Sequence, residues 1–281
     1  MSRVVTLGLV QMRMDADAAV NRKRAGEMVL EAASRGAEIV CLPELFTSPY
    51  FCSSEDAGFG YAESIPGETT KALSDVAKKA KVVLVGGSVH EKADGKYYNT
   101  SAVFGPDGSM LGTYRKTHIP HDEGFYEKHY FEPGDTGFRI FESAKAKFGV
   151  LICYDQWYPE AARSNALLGA DIIFYPTAIG NVAEVPQPEG NWQEAWENVQ
   201  RGHAIANATI VAAVNRVGVE GTTTFWGGSF VCDAFGKTLV RGGSEEEIIV
   251  VPVDLDHSEG VKKGWRFFYN RRPDAYRLLS S

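Results

Sequence analysis

Cys153 stands where an apolar run, residues 148–152, meets Tyr154-Asp155-Gln156-Trp157-Tyr158-Pro159, after which the pattern turns helical. A free cysteine is most often a small buried hydrophobe. At a strand-to-helix turn a thiol has a second reading, because a helix N-terminus favours the thiolate and the turn presents the sulfur at the sheet edge. Position alone leaves both readings open. Cys41 lies inside an apolar strand and Cys232 follows one, so both read as core. Cys52, in the loop "SPYFCSSED", is ambiguous.

A cysteine nucleophile needs a base, usually histidine. None of His90, His118, His121, His129, His203 and His257 sits in a protease signature, which directs attention to a carboxylate. Glu44, in "CLPELF", emerges where a fully apolar strand ends after Pro43. A surface glutamate is the plain alternative, yet strand ends of α/β sheets are where sites gather. Lys116, in "YRKTHIP", occupies another strand end, where lysines are usually solvated. Taken together, three strand ends supply a base, a cation and a nucleophile. His118, His121 and His129 surround Pro120 and Gly124 and so share no helix face, and the four cysteines match no zinc spacing. No metal is expected. Nor is there a Gly-rich dinucleotide fingerprint, a P-loop or a Gly-x-Ser-x-Gly elbow.

Strands and helices alternate around these positions. Residues 5–12, 37–44, 82–91 and the two arms of 97–116, turned by Pro-Asp-Gly, read as strands, with helices over 19–36 and 69–81. Residues 117–138 read as a long irregular stretch, and 181–191 as a proline-broken loop. A helix over 192–208 precedes strands over 209–218, 223–233 and 246–255, and residues 265–281 read as a tail. No linker or repeat interrupts the chain, so residues 1–281 are expected to form one mixed α/β domain with two layers of helix around sheet.

Of the 281 residues, 44% are hydrophobic and 23% charged, enough for a large core. The formal charge of −7 leaves no basic field for nucleic acid or anionic lipid, so neither is an expected partner. The opening "MSRVVTLGLVQM" has no basic leader region and reads as a first strand. With no run long enough to span a bilayer, a cytoplasmic location with reduced thiols is expected.

The motifs "CLPELF", "YRKTHIP" and "GVLICYDQWYPEAAR", in this order and at these separations, resemble those of the nitrilase (carbon–nitrogen hydrolase) superfamily, and the resemblance covers essentially the whole chain. It implies a four-layer αββα sandwich, pairing into homodimers or larger homo-oligomers, and no cofactor. It also implies Glu44 as general base, Lys116 as electrophilic stabiliser and Cys153 as nucleophile. "FYEKHYFEPGDTGF" matches the segment that carries a second glutamate, here Glu127, expected to orient Lys116. Within the superfamily "PYFC", "ICYDQWYPEAAR", "FYPTAIG" and "NRRPDAY" look most like the N-carbamoylputrescine amidases. That likeness implies a small linear N-carbamoyl amine as substrate, with Tyr50, Tyr154, Trp157, Thr177 and Ala178 among its binding residues. The alternatives are a β-ureidopropionase-like, ω-amidase-like or aliphatic amidase and, from another class, a catalytically silent scaffold. The segments expected to rim the pocket carry Asp122, Glu123, Glu184 and Glu189 against one cation, Lys128, a balance that suits a cationic guest.

Overall fold

A computed structural model describes residues 3–280. The first half of the chain runs β1 (Val4–Gln11), α1 (Ala18–Ser34), β2 (Ile39–Cys41), α2 (Glu68–Ala80), β3 (Val83–Val85), β4 (Val89–Ala93), β5 (Lys96–Phe104) and β6 (Met110–Arg115). The next elements are β7 (Ile140–Glu142), β8 (Lys147–Val150), α3 (Pro159–Leu167), β9 (Ile172–Pro176), β10 (Gly180–Val182) and α4 (Trp192–Asn207). Last come β11 (Ile210–Val214), β12 (Val217–Glu220), β13 (Thr223–Trp226), β14 (Phe230–Cys232), β15 (Thr238–Arg241), β16 (Glu247–Asp254) and α5 (Leu255–Trp265).

Two sheets carry the fold. The first is ordered β16-β1-β2-β3-β5-β4, with β6 also paired to β5; the second is ordered β15-β14-β11-β9-β8-β7. Each is built on a parallel core, β1-β2-β3 in one and β8-β9-β11 in the other, flanked by antiparallel strands. Their facing sides share one apolar cluster, in which Val5, Leu7, Leu9 and Ile39 meet Phe148, Val150, Ile172 and Val211. Helices α1 and α2 cover the outer side of the first sheet, and α3 and α4 that of the second. The result is the four-layer αββα sandwich of the nitrilase type. A small third sheet, β10-β13-β12, lies beside the site end.

Local chemistry explains the helix starts. The Asp17 side chain accepts from the Ala19 amide, Asn191 caps α4 at Glu194, Asp254 caps α5, and Pro159 opens α3. Several elements differ from the expectation. The apolar run 37–44 forms only a three-residue strand, because past Cys41 the chain turns toward the site instead of continuing the ladder. Residues 82–91 split into β3 and β4 around Gly86 and Gly87; Gly87 has φ +58°, and a Cβ there would fall 2.1 Å from the Pro43 carbonyl oxygen. Residues 209–218 and 223–233 are likewise each two strands rather than one. The expected loop 181–191 gives its first two residues to β10, and β7, β15 and α5 were not anticipated. Beyond Trp265 the described residues form turns, including short 3-10 turns over Pro273–Ala275 and Arg277–Ser280. Among the described residues no helix is long and apolar enough to cross a membrane.

Candidate active site

The polar groups gather where strands of both sheets end. Glu44 follows β2 by way of Pro43, Lys116 is the first residue after β6, and Cys153 follows β8. All three, and Glu127, are almost completely buried.

Lys116 is the centre of the arrangement. Its Nζ donates to Glu44 Oε1 at 2.8 Å and to Glu127 Oε2 at 2.6 Å. The free-standing ammonium would be too costly to bury; with two carboxylates it is paired and hydrogen-bonded. Burial alone would lower its pKa, but the charges of Glu127 and Glu44 outweigh it and hold Lys116 well above the ordinary lysine value. Glu44 Oε1 also accepts from Asn99 Nδ2 at 2.8 Å, whereas Oε2 is buried and bonded by no described residue. One oxygen of the carboxylate is thus fixed and the other is left without a described partner. Glu127 sits in a 3-10 turn, Glu127–His129, and accepts from the Tyr50 hydroxyl at 2.8 Å. Burial, with Glu44 close by, raises its pKa against the opposing pull of Lys116 and Tyr50.

Cys153 opens a 3-10 turn, Cys153–Trp157, that leads into α3. Its φ of +43° is rare for a residue with a side chain and marks a strained turn. Asp155 braces that turn: its carboxylate accepts from the Ile152 amide at 2.9 Å, from the Tyr114 hydroxyl at 2.7 Å and from the His118 amide at 3.0 Å. The bracing ties the Cys153 turn to residues on both sides of Lys116. Two expectations need correction here. Cys153 is not exposed at the sheet edge but only 6% accessible, and its pKa is raised rather than lowered. Burial pushes the pKa well up, Glu44 adds to that, and Lys116 and the bond to the Ala178 carbonyl only partly oppose it.

Cys153 and Glu127 lie in the wall of a cavity of about 490 Å³ whose exposed members are Asp122, Glu123, Glu189 and Ala195. The cavity therefore runs from solvent to the sulfur. Tyr154, Trp157 and Trp192 give it aromatic faces, and no described lysine or arginine lines it. Of the residues expected to bind substrate, Tyr154 and Trp157 are in this wall. Tyr50 is not; it stands behind Glu127. Thr177 donates to the Tyr175 carbonyl at 2.9 Å, and Ala178 faces Cys153 with its carbonyl, so both act on neighbours rather than line the cavity. Glu184 and Lys128 also lie outside the wall. Gln156, which does line it, was not singled out from sequence; its Oε1 accepts from Trp196 Nε1 at 2.8 Å. Asn99 and Asp155 were missed too, and of these only Asp155, just after an apolar run, carried a local signal.

His118 stacks on Tyr158 with ring centroids 3.7 Å apart, and its Nδ1 lies 2.7 Å from Asp155. His121 approaches Glu55, and His129 packs against Tyr130. Among the described residues no group of three or more histidine, cysteine or acidic side chains could hold a metal ion.

The model of the family described as carbon-nitrogen hydrolase matches residues 6–263. The chain is 39% identical to an N-carbamoylputrescine amidase of Solanum lycopersicum, over 99% of this chain and 95% of that one. It is 36% identical to a citrullinase of Francisella tularensis (97% and 96% covered) and 38% identical to an omega-amidase of Danio rerio (98% and 97% covered). Among solved structures, a carbon-nitrogen hydrolase from Helicobacter pylori superposes with a TM-score of 0.94 at 41% identity, covering 99% of both chains.

Proposed function

The chain belongs to the carbon–nitrogen hydrolase family, and from that premise we propose that it cleaves a small linear N-carbamoyl amine, N-carbamoylputrescine first, through a thiol-bound intermediate. The observation that carries the reading is the buried Cys153 beside a lysine clamped between two glutamates, at the inner end of a solvent-reaching cavity.

In the proposed sequence the free oxygen of Glu44 takes the thiol proton as sulfur bonds to the carbonyl carbon. The carbonyl electron pair moves to oxygen. Lys116 and the backbone N–H of Tyr154, near the start of its turn and free of an intrahelical partner, hold that charge. Glu44 then returns the proton to the departing nitrogen as the C–N bond breaks, leaving a thiocarbamate on Cys153. Water adds to that carbon with its proton passing to Glu44. The sulfur leaves and is reprotonated, and the carbamic acid released falls to carbon dioxide and an amine or ammonia. Glu127 keeps Lys116 aimed at the oxygen. No step calls for a metal or an organic cofactor.

The far end of the cavity supports a cationic guest. Asp122, Glu123 and Glu189 offer carboxylates, and Tyr154, Trp157 and Trp192 offer ring faces. A distal carboxylate would face three acids and no described cation. The related amidase readings share the chemistry and differ in this distal preference. The test is kcat/KM for N-carbamoylputrescine against N-carbamoyl-β-alanine, with citrulline, whose far end bears both charges, between them. A preference for the amine of roughly tenfold or more is expected, equivalent to about 1.4 kcal/mol of selective transition-state binding. A preference for the carboxylate compound would replace the polyamine reading and leave the Cys153 chemistry intact.

We also propose that the chain self-associates. Leu167 at the end of α3, Leu168 just past it, Ile205 on α4 and Leu279 in the tail are exposed apolar side chains that a second copy would cover. Light scattering at micromolar concentration is expected to give at least a dimer; a monomer mass would contradict it.

A further inference from the structure

Arg216 follows β11 and is completely buried, yet it touches neither the cavity nor the sulfur. Its contacts run instead to the loop that carries the general base. Nη2 donates to the carbonyl oxygens of Glu44 at 2.8 Å and Leu45 at 2.9 Å, and Nη1 to that of Ser48 at 3.2 Å. One side chain therefore holds three carbonyls of a segment that has no sheet partner of its own. Leu45, in the middle of it, has φ +47°, a conformation that a leucine keeps only when its surroundings enforce it.

Arg216 is itself anchored by Glu220, whose two oxygens lie 3.0 and 3.1 Å from Nη1. Glu220 in turn accepts from the Tyr50 amide at 2.6 Å, and the Tyr50 hydroxyl is the group that bonds Glu127. The contacts close a ring: Arg216 to the Glu44 backbone, Glu44 to Lys116, Lys116 to Glu127, Glu127 to Tyr50, Tyr50 to Glu220, and Glu220 back to Arg216. Both carboxylates that oppose Lys116 are thereby indexed to a single ion pair, between buried Arg216 and partly buried Glu220. Desolvating an arginine and a glutamate is costly, and apolar residues of the same volume would fill the space without that cost. What apolar residues could not do is fix three carbonyls and one amide in a strained loop.

We infer that the Arg216–Glu220 pair is a positioning unit of the catalytic centre, setting the separation between Glu44 and Glu127 across Lys116 and so the aim of the free Glu44 oxygen. The inference rests on Glu44 serving as the base for Cys153, as proposed above. Arg216 and Glu220 touch no reacting atom; they act through the loop at 44–50.

Arg216→Lys keeps the charge but not the planar fork, and Glu220→Gln keeps the acceptor position but not the charge. In folded Arg216→Lys protein, kcat is expected to fall by about tenfold or more with KM within about twofold of wild type, since a misaimed base costs turnover rather than binding. The rate at which iodoacetamide alkylates Cys153 should fall in parallel, and Glu220→Gln should lose less in the same direction. The alkylation rate needs no substrate, so it tests this inference even if carbamoyl amines prove not to be hydrolysed, a failure that the wild-type assay alone would expose. If Arg216→Lys does not fold, Glu220→Gln decides on the same two readouts. Folded variants with wild-type kcat and wild-type alkylation rate would overturn the inference. So would a loss of activity matched by an equal loss of alkylatable Cys153 at the endpoint, which would make the pair merely structural.

Discussion

Lys116 and His90 are both basic side chains sunk into the first sheet, one just past β6 and the other within β4, and neither is more than 2% exposed. Lys116 keeps its proton because two carboxylates meet it at 2.8 and 2.6 Å. His90 is packed among the rings of Phe51, Phe59, Tyr97 and Phe131, and no described residue bonds either ring nitrogen. Burial there lowers its pKa to about 4, so it stays neutral at physiological pH. Equal burial gives opposite charge states, and the partners decide which. Only the paired group can place a positive charge against a developing oxyanion; the unpaired ring serves as packing.

The comparison breaks most visibly at Lys116. Lys116→Met removes the cation and leaves Glu44 and Glu127 facing each other. A fall in kcat of about 10²–10³ is expected from the lost oxyanion donor alone, with a smaller change in KM. Steady-state ammonia release from folded protein checks it, and a variant within tenfold of wild type would remove Lys116 from the chemistry.

A smaller effect, on stability rather than rate, is expected at the other pole. The folded pKa of His90 lies below its unfolded value near 6.5, so the unfolded chain binds a proton first as pH falls. The stability that neutral His90 confers is complete above pH 6.5 and is lost progressively between about 6.5 and 4, by roughly 3 kcal/mol at most. His90→Phe, which keeps a ring in the aromatic cluster, should flatten that acid limb in urea unfolding curves. An unchanged limb would assign the acid sensitivity to other groups.

The same contrast explains what could be read from sequence. Glu44 and Cys153 were legible because each ends an apolar run and breaks its pattern, and Lys116 because it stands at a third strand end and completes the set. Glu127 carries no such break, lying in an irregular stretch, and only the family resemblance pointed to it. Asn99, Gln156 and Arg216 were not legible as site residues, since nothing local distinguishes a polar side chain aimed at a site from one aimed at water. The alternation of parallel strands and helices was readable, while the length of β2 was not: apolar character continues past Cys41 although the strand ladder stops there. The short β7 and β15 exist through pairing with distant strands, which local pattern does not report. The raised thiol of Cys153 was missed for a related reason, because a strand–helix junction says nothing about how deeply the neighbouring chain will bury it.

Assignment of Cys153 as the nucleophile stands or falls with stoichiometric alkylation followed by peptide mapping and ammonia release. Cys41, Cys52 and Cys232 are buried as well, but only Cys153 lines the cavity. Loss of turnover is therefore expected to track modification of Cys153 one for one, reaching zero at one label per chain, with saturating substrate slowing the labelling and Cys153→Ala folded but inactive. Enzyme fully alkylated at Cys153 that still releases ammonia at the wild-type rate would contradict the account.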